Sequence, residues 1–162
     1  MDGVDKIFTK LTFALNYPVF IVTTAVGDQR EGCLIGFATQ TSVHPGRFLA
    51  CLSRKNRTLA LAREAAALAV HCVPRGERQL AELFGGETGD ELDKFEHCDW
   101  REGPSGMPIL ARCESWFVGE IRSRHDLGDH EGYLLHPVAA RHEPGELLYF
   151  DDVRHIEPGH EA

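Results

Sequence analysis

The chain has 162 residues, enough for one domain whose core folds without disulfide or metal staples. Its 17 Lys and Arg against 25 Asp and Glu leave a net charge of −8, which argues against non-specific affinity for nucleic acid or an anionic membrane surface. No apolar run reaches the roughly 18 to 20 residues needed to cross a bilayer, and residues 1–10 lack the apolar centre of a secretory signal, so a cytoplasmic protein without membrane association is expected.

In chain order, Tyr17 to Val26 (YPVFIVTTAV) alternates with β-branched and aromatic residues, and Gly27-Asp28 follows as a hairpin turn. Gly32 to Thr41 (GCLIGFATQT) reads as the return strand. Its two glycines mark a bulge or a place where something approaches the backbone closely. After the His44-Pro45-Gly46 turn, Arg47 to Ser53 is a short buried strand and Ala67 to Val73 another, closed by Pro74. Between them Thr58 to Ala67 is built of strong helix formers, with Asn56 as its cap. Glu77 to Phe84 makes a second short helix stopped by Gly85-Gly86, and Asp90 to Phe95 adds a turn or two. Three more strands are expected at Trp116 to Arg122, Gly132 to Val138 and Leu147 to Phe150, and the tail after Pro158 is polar. Helices do not alternate with strands, so the fold class is mainly β: a closed or partly closed antiparallel barrel with inserted short helices.

The five cysteines are odd in number and scattered, the usage of a reducing compartment. Cys33, Cys51 and Cys72 lie in apolar stretches and read as small core residues, with a redox or nucleophilic role as the rival. His71-Cys72, His97-Cys98, His125 and His130 can be combined on paper into a four-ligand site, but the paired spacing of a zinc motif is missing, and no metal is expected.

Three segments carry chemistry. Ser53, Arg54, Lys55, Asn56, Arg57 and Thr58 gather three cations, two hydroxyls and an amide at a strand-to-helix junction; this is either a phosphate cradle or a solvated loop whose Ser or Asn caps the helix. The strand from Gly32 sets Leu34, Ile35 and Phe37 beside Gly36, Thr39 and Gln40, a mixture suited to a flat heteroaromatic ring, although Gly36 could equally mark a simple bulge. Gly128-Asp129-His130 places a carboxylate next to an imidazole in a loop, as a proton-handling pair or as an ordinary turn.

Taken in order, these segments resemble the flavin reductase family, whose domain is an FMN-binding split β-barrel. YPVFIVTTA, Gly32 through Pro45, Cys51 through Thr58, Leu80 through Gly85, Asp93-Lys94-Phe95, Gly106-Met107-Pro108, Gly128-Asp129-His130 and Leu147 through Phe150 each match one of its motifs. The resemblance implies an N-terminal extension at 1–14, the FMN-binding domain at 15–157 and a polar tail at 158–162. It implies that Cys33, Leu34, Ile35, Phe37 and Ala38 line the ring and ribityl chain, that Leu52, Ser53, Arg54, Thr58 and Leu59 hold the phosphate end with Phe84 packed nearby, and that His130 sits where a nicotinamide stacks. Lys55 is an added electrostatic candidate. The family usually shows a Thr and a run of serines where this chain has Leu34, Gly36, Phe37 and Ala38, which shifts ring binding toward main-chain amides. The activity implied is reduction of FMN, or FAD, by NADH or NADPH in a homodimer that supplies a partner monooxygenase. A flavin carrier or sensor, or a user of a deazaflavin, is the alternative.

Overall fold

A computed structural model describes residues 2–86 and 92–156. The start of the turn expected at Asp90 to Phe95 and the tail after Pro158 lie outside the described residues. Helix α1 (Gly3–Phe13) is followed by strands β1 (Phe20–Val26), β2 (Gln29–Ile35), β3 (Ala38–Ser42) and β4 (Arg47–Ser53), helix α2 (Arg57–Ala62) and strand β5 (Ala67–Cys72). Helix α3 (Arg78–Gly86), short strands β6 (Trp100–Glu102) and β7 (Pro108–Leu110), long strands β8 (Trp116–Asp126) and β9 (His130–Arg141), and helix α4 (Phe150–Val153) complete the chain.

Seven strands form one antiparallel sheet in the order β2-β1-β5-β8-β9-β4-β3, and β6 pairs with β7 separately. The two edge strands of the large sheet are consecutive in the chain. Only Gly36 and Phe37 join Ile35 of β2 to Ala38 of β3, and a link that short spans roughly 11 Å at full stretch. The sheet must therefore curl until its edges nearly meet, which leaves a split between β2 and the β3–β4 pair.

Because strand side chains alternate, the curled sheet has an inner and an outer core. Val22, Cys33, Ala50, Leu52, Leu68, Val70, Tyr133 and Leu135 form the inner core with Leu59 and Ala62 of α2. Ile21, Val73 and Leu110 pack outside against Leu80, Ala81 and Phe84 of α3. Both faces of β1 and β5 are thus covered, and their burial is nearly continuous rather than alternating.

The Gly27-Asp28 hairpin forms as expected, with Gly27 at φ +58° and Val26 opposite Gln29. Asn56 caps α2, its side-chain oxygen accepting from the Thr58 N–H at 3.0 Å. Four sequence expectations are revised. The stretch Gly32 to Thr41 is two strands on opposite edges of the sheet, not one. Helix α2 ends at Ala62 rather than Ala67, where the Arg124 guanidinium donates to the carbonyls of Ala62 (3.1 Å) and Ala65 (2.8 Å) and closes the helix early. Leu147 and Tyr149 make only isolated bridges to Pro74 and Pro18, and Phe150 opens α4. Residues 1–14, with no element assigned from sequence, contain α1, capped by Asp2 accepting from the Asp5 N–H.

Among the described residues no helix is long and apolar enough to cross a membrane, and no group of His, Cys, Asp or Glu side chains is arranged to hold a metal ion.

Candidate functional site

A cleft of about 320 Å³ opens along the split. Cys33, Leu34 and Ile35 come from β2, Gly36 and Phe37 from the link, Cys51 and Ser53 from β4, Asn56 from the following turn and His130 from the start of β9. Tyr17, Phe150 and Val153 close the opposite wall, the Tyr17 and Phe150 rings stacking at 4.9 Å and 10°. As an edge strand, β2 leaves alternate backbone N–H and C=O groups outside its ladder, on the side where the cleft lies.

Six of the expected site residues meet here: Cys33, Leu34, Ile35, Phe37, Ser53 and His130. Ala38 borders an adjoining cleft of about 490 Å³ that shares Tyr17, Gly36, Phe37 and Phe150 with the first and is flanked by Thr9, Thr12 and Phe13 of α1. Leu52, Thr58 and Leu59 are buried beneath the cleft floor, and Phe84 lies in the outer core. Arg54 and Lys55 stand on the exposed turn beyond Ser53. Asn56, read from sequence as the amide of the cradle, also lines the cleft, whereas Tyr17, Cys51, Gly85, Phe150, Val153 and Ile156 were not among the expected site residues. Tyr17 and Phe150 carried a signal, being aromatic residues at the borders of apolar runs; the others become visible only once the split is formed.

The strand-to-helix turn is less positive than its composition suggests. Arg54 pairs with Asp126 at 2.6 Å and reaches toward Glu131 at 3.6 Å, and Arg57 pairs with Glu31 at 2.9 Å. Lys55 is near enough to Asp129 to help hold its carboxyl below the usual range. Most of the turn's amides are also engaged, Arg54 N–H donating to the Asp129 carbonyl, Lys55 N–H to the Ser53 hydroxyl oxygen and Asn56 N–H to the Ser53 carbonyl.

His130 is held at Nδ1 by the Asp129 carboxylate at 2.7 Å, which leaves Nε2 as the ring nitrogen for a ligand. That hydrogen bond is the main reason the Asp129 carboxyl is depressed, ahead of the imidazole's charge. The His130 ring lies 4.9 Å from that of Phe37, which is 54% exposed at the cleft mouth. Both cleft thiols, Cys33 and Cys51, are shifted toward the protonated form. Burial pushes Cys33 up to about 11, against the Thr58 hydroxyl and the Lys94 charge, and burial raises Cys51 as well.

Residues 12–157 match the family model described as flavin reductase like domain. The chain belongs to the flavin reductase family. A curated relative, FMN reductase (NADH) RutF of Klebsiella pneumoniae, is 32% identical over 135 residues, covering 82% of each chain. Among solved structures, the NADH:FAD oxidoreductase SgcE6 of Streptomyces globisporus C-1027 superposes with TM-score 0.82 at 23% identity, over 93% of this chain and 90% of that one. A nitrilotriacetate monooxygenase component B homologue from Mycobacterium thermoresistibile gives TM-score 0.80 at 21% identity, over 91% and 82%. This flavin reductase is accordingly an oxidoreductase on the split-barrel scaffold that the motif order implied.

The cleft fits a flavin. Its apolar walls accept the faces of a tricyclic ring, and Ser53, Asn56 and His130 give it one polar end. The fit depends on Gly36, where an added Cβ would stand 2.8 Å from the Tyr17 ring. Gly36→Val is expected to drive that ring into the cleft and weaken FMN binding by about tenfold or more, roughly 1.4 kcal/mol. Fluorescence titration together with a melting curve checks it: a fall in Tm with unchanged affinity would place the ring elsewhere.

Proposed function

We propose that this flavin reductase binds FMN along the split, with the ring against β2 and the Gly36-Phe37 link, and reduces it with NADH, whose nicotinamide enters past Phe37 and His130. The observation that carries this reading is the clamped imidazole of His130 beside the exposed Phe37 ring, in the cleft that β2 lines.

Bound flavin supplies the hydride-accepting ring. The chain supplies position and dipoles. Leu34, Ile35 and Phe37 set the plane of the ring and exclude water from one face, so that two rings can meet in van der Waals contact. Backbone donors on the β2 edge favour negative charge on the ring's polar rim. Ser53 and Asn56 would hold the ribityl and phosphate end, with the exposed Lys55 as a counter-charge. His130, oriented through Nδ1, holds the carboxamide side of the nicotinamide through Nε2.

Purified protein titrated with FMN, FAD, riboflavin and a deazaflavin, then with NADH and NADPH, tests the proposal. Saturable FMN binding followed by NADH bleaching of the yellow band is expected; binding without bleaching would make the chain a carrier. His130→Ala is expected to raise KM for NADH about tenfold, as loss of a hydrogen bond does, with FMN affinity changed less than about twofold. Equal loss of both would show that His130 supports the fold rather than the donor.

The chain works as a homodimer in this reading. In its support, α1 turns Val4, Ile7, Phe8 and Leu11 outward, each more than half exposed and none covered by the domain. The likeness to a monooxygenase component supports a role in delivering reduced flavin to an oxygenase. Five unpaired thiols support residence in the cytoplasm.

A further inference from the structure

The turn that delivers His130 to the cleft lies just beyond the last ladder pairs, Asp126 with Glu131 and Ser53 with His130. Between β8 and β9 it is stitched by Leu127 N–H to the His130 carbonyl (3.0 Å) and by Gly128 N–H to the Asp126 carboxylate (3.1 Å), and Leu127 is 51% exposed. Arg54, which directly follows the β4 residue Ser53 that pairs with His130, adds three more ties. Its backbone N–H donates to the Asp129 carbonyl at 2.9 Å, Nε to the Gly128 carbonyl at 2.7 Å and Nη2 to the Asp126 carboxylate at 2.6 Å. Its Nη1 lies 3.6 Å from Glu131, a buried carboxylate that also accepts from Arg63 at 2.9 Å and from the Tyr133 hydroxyl at 2.7 Å.

We propose that Arg54 is a positioning residue for His130: its guanidinium fork locks the Asp126–Asp129 turn to the β4–α2 junction, and it is not a ligand of the flavin phosphate. The inference rests on the reading that His130 serves the nicotinamide. All three guanidinium nitrogens face acceptors on β8, the turn or β9, so a phosphate drawing on Arg54 would have to break the fork from the turn. The carboxylates of Asp126 and Glu131 also neutralise the charge that a phosphate would seek. The planar fork is needed because two separated acceptors, one a main-chain carbonyl, are met by two different nitrogens, Nε and Nη2, a spread that the single nitrogen of an ammonium lacks. Glu131 anchors the fork from the core side, so the chain of contacts runs from the buried Tyr133 through Glu131 and Arg54 to the turn. The phosphate grip then falls to Ser53, Asn56 and Lys55.

The test compares Arg54→Ala, Arg54→Lys and Asp126→Asn with the wild type. Each is assayed for KM for NADH, for affinity toward FMN and toward riboflavin, which lacks the phosphate, and for the nuclear Overhauser contact between the His130 and Phe37 rings. Arg54→Ala is expected to raise KM for NADH about five- to tenfold, as loss of a charge-assisted bond does, while the ratio of FMN to riboflavin affinity stays within about twofold. Arg54→Lys is expected to rescue little. Asp126→Asn, which keeps the arginine, shifts KM in the same direction. In Arg54→Ala the ring contact disappears. A fall in the FMN to riboflavin ratio with KM unchanged makes Arg54 a phosphate ligand and overturns the proposal, as does a ring contact that survives. If His130→Ala leaves KM for NADH unmoved, the nicotinamide reading fails, and the ring contact alone still decides whether Arg54 holds the turn.

Discussion

Phe84→Ala is expected to cost about 3–5 kcal/mol of stability, which for a chain of this length lowers Tm by on the order of 10 °C, while FMN affinity measured well below the transition changes little. The ring is 1% exposed and meets Phe95 edge-on at 5.7 Å and Trp100 through it. It also fills the space that the missing side chain of Gly32 leaves, since a Cβ there would come within 2.7 Å of its Cε1. The buried Lys94 ammonium ties the two together, donating to the carbonyls of Gly32 and Phe84 at 3.1 Å each. Phe84 therefore supports β2 from behind, and its neighbour Gly85 is the α3 residue at the cleft. Melting curves and flavin titrations on one preparation decide the matter: weakened binding at unchanged Tm would put the ring against the flavin instead.

Acidification is expected to produce the second large effect. His71 is fully buried, donates from Nδ1 to the Ile21 carbonyl at 2.9 Å and accepts the Leu110 N–H at Nε2 at 3.1 Å, a pairing that only the neutral ring can make. Burial drives its pKa down from 6.5 to about 4, opposed weakly by the bond to Ile21. The unfolded chain therefore takes up a proton near pH 6.5 that the folded chain refuses until about pH 4. Stability is full above that upper value and falls as pH drops through the window, by about 3 kcal/mol in all at 1.36 kcal/mol per unit. Urea unfolding between pH 7.5 and 4.5 reads it directly, the range being set on the order of the two titrations. His71→Gln, less stable at neutral pH, should show a flatter profile; a flat wild-type profile would mean the ring is charged or solvated in the folded protein.

What the sequence made legible was local. The Gly27-Asp28 turn and the Asn56 cap each follow from one or two residues whose backbone preferences act over a few positions. The family motifs then ordered those pieces, and six candidate residues met in one cleft. What escaped was tertiary. Nothing in GCLIGFATQT announces that the chain leaves one sheet edge at Ile35 and joins the other at Ala38, because closure depends on all seven strands. Likewise the cations at 54–57 were read without their partners, since Glu31, Asp126 and Glu131 arrive from other strands and convert a concentration of charge into a set of ties. Helix α1 was legible and overlooked: Asp2 is a standard cap, and Val4, Ile7, Phe8 and Leu11 repeat at helical spacing.

The protonated state of Cys33 bears on how long the enzyme survives its own work. Electrons that leak from a reduced flavin to dioxygen end as hydrogen peroxide, and peroxide attacks sulfur as the thiolate. A sulfur in the cleft wall, kept as the thiol until about pH 11, presents almost none of that form at neutral pH. In the proposed site the fold thereby carries an oxidisable atom close to where the oxidant would form, and burial keeps it as the thiol.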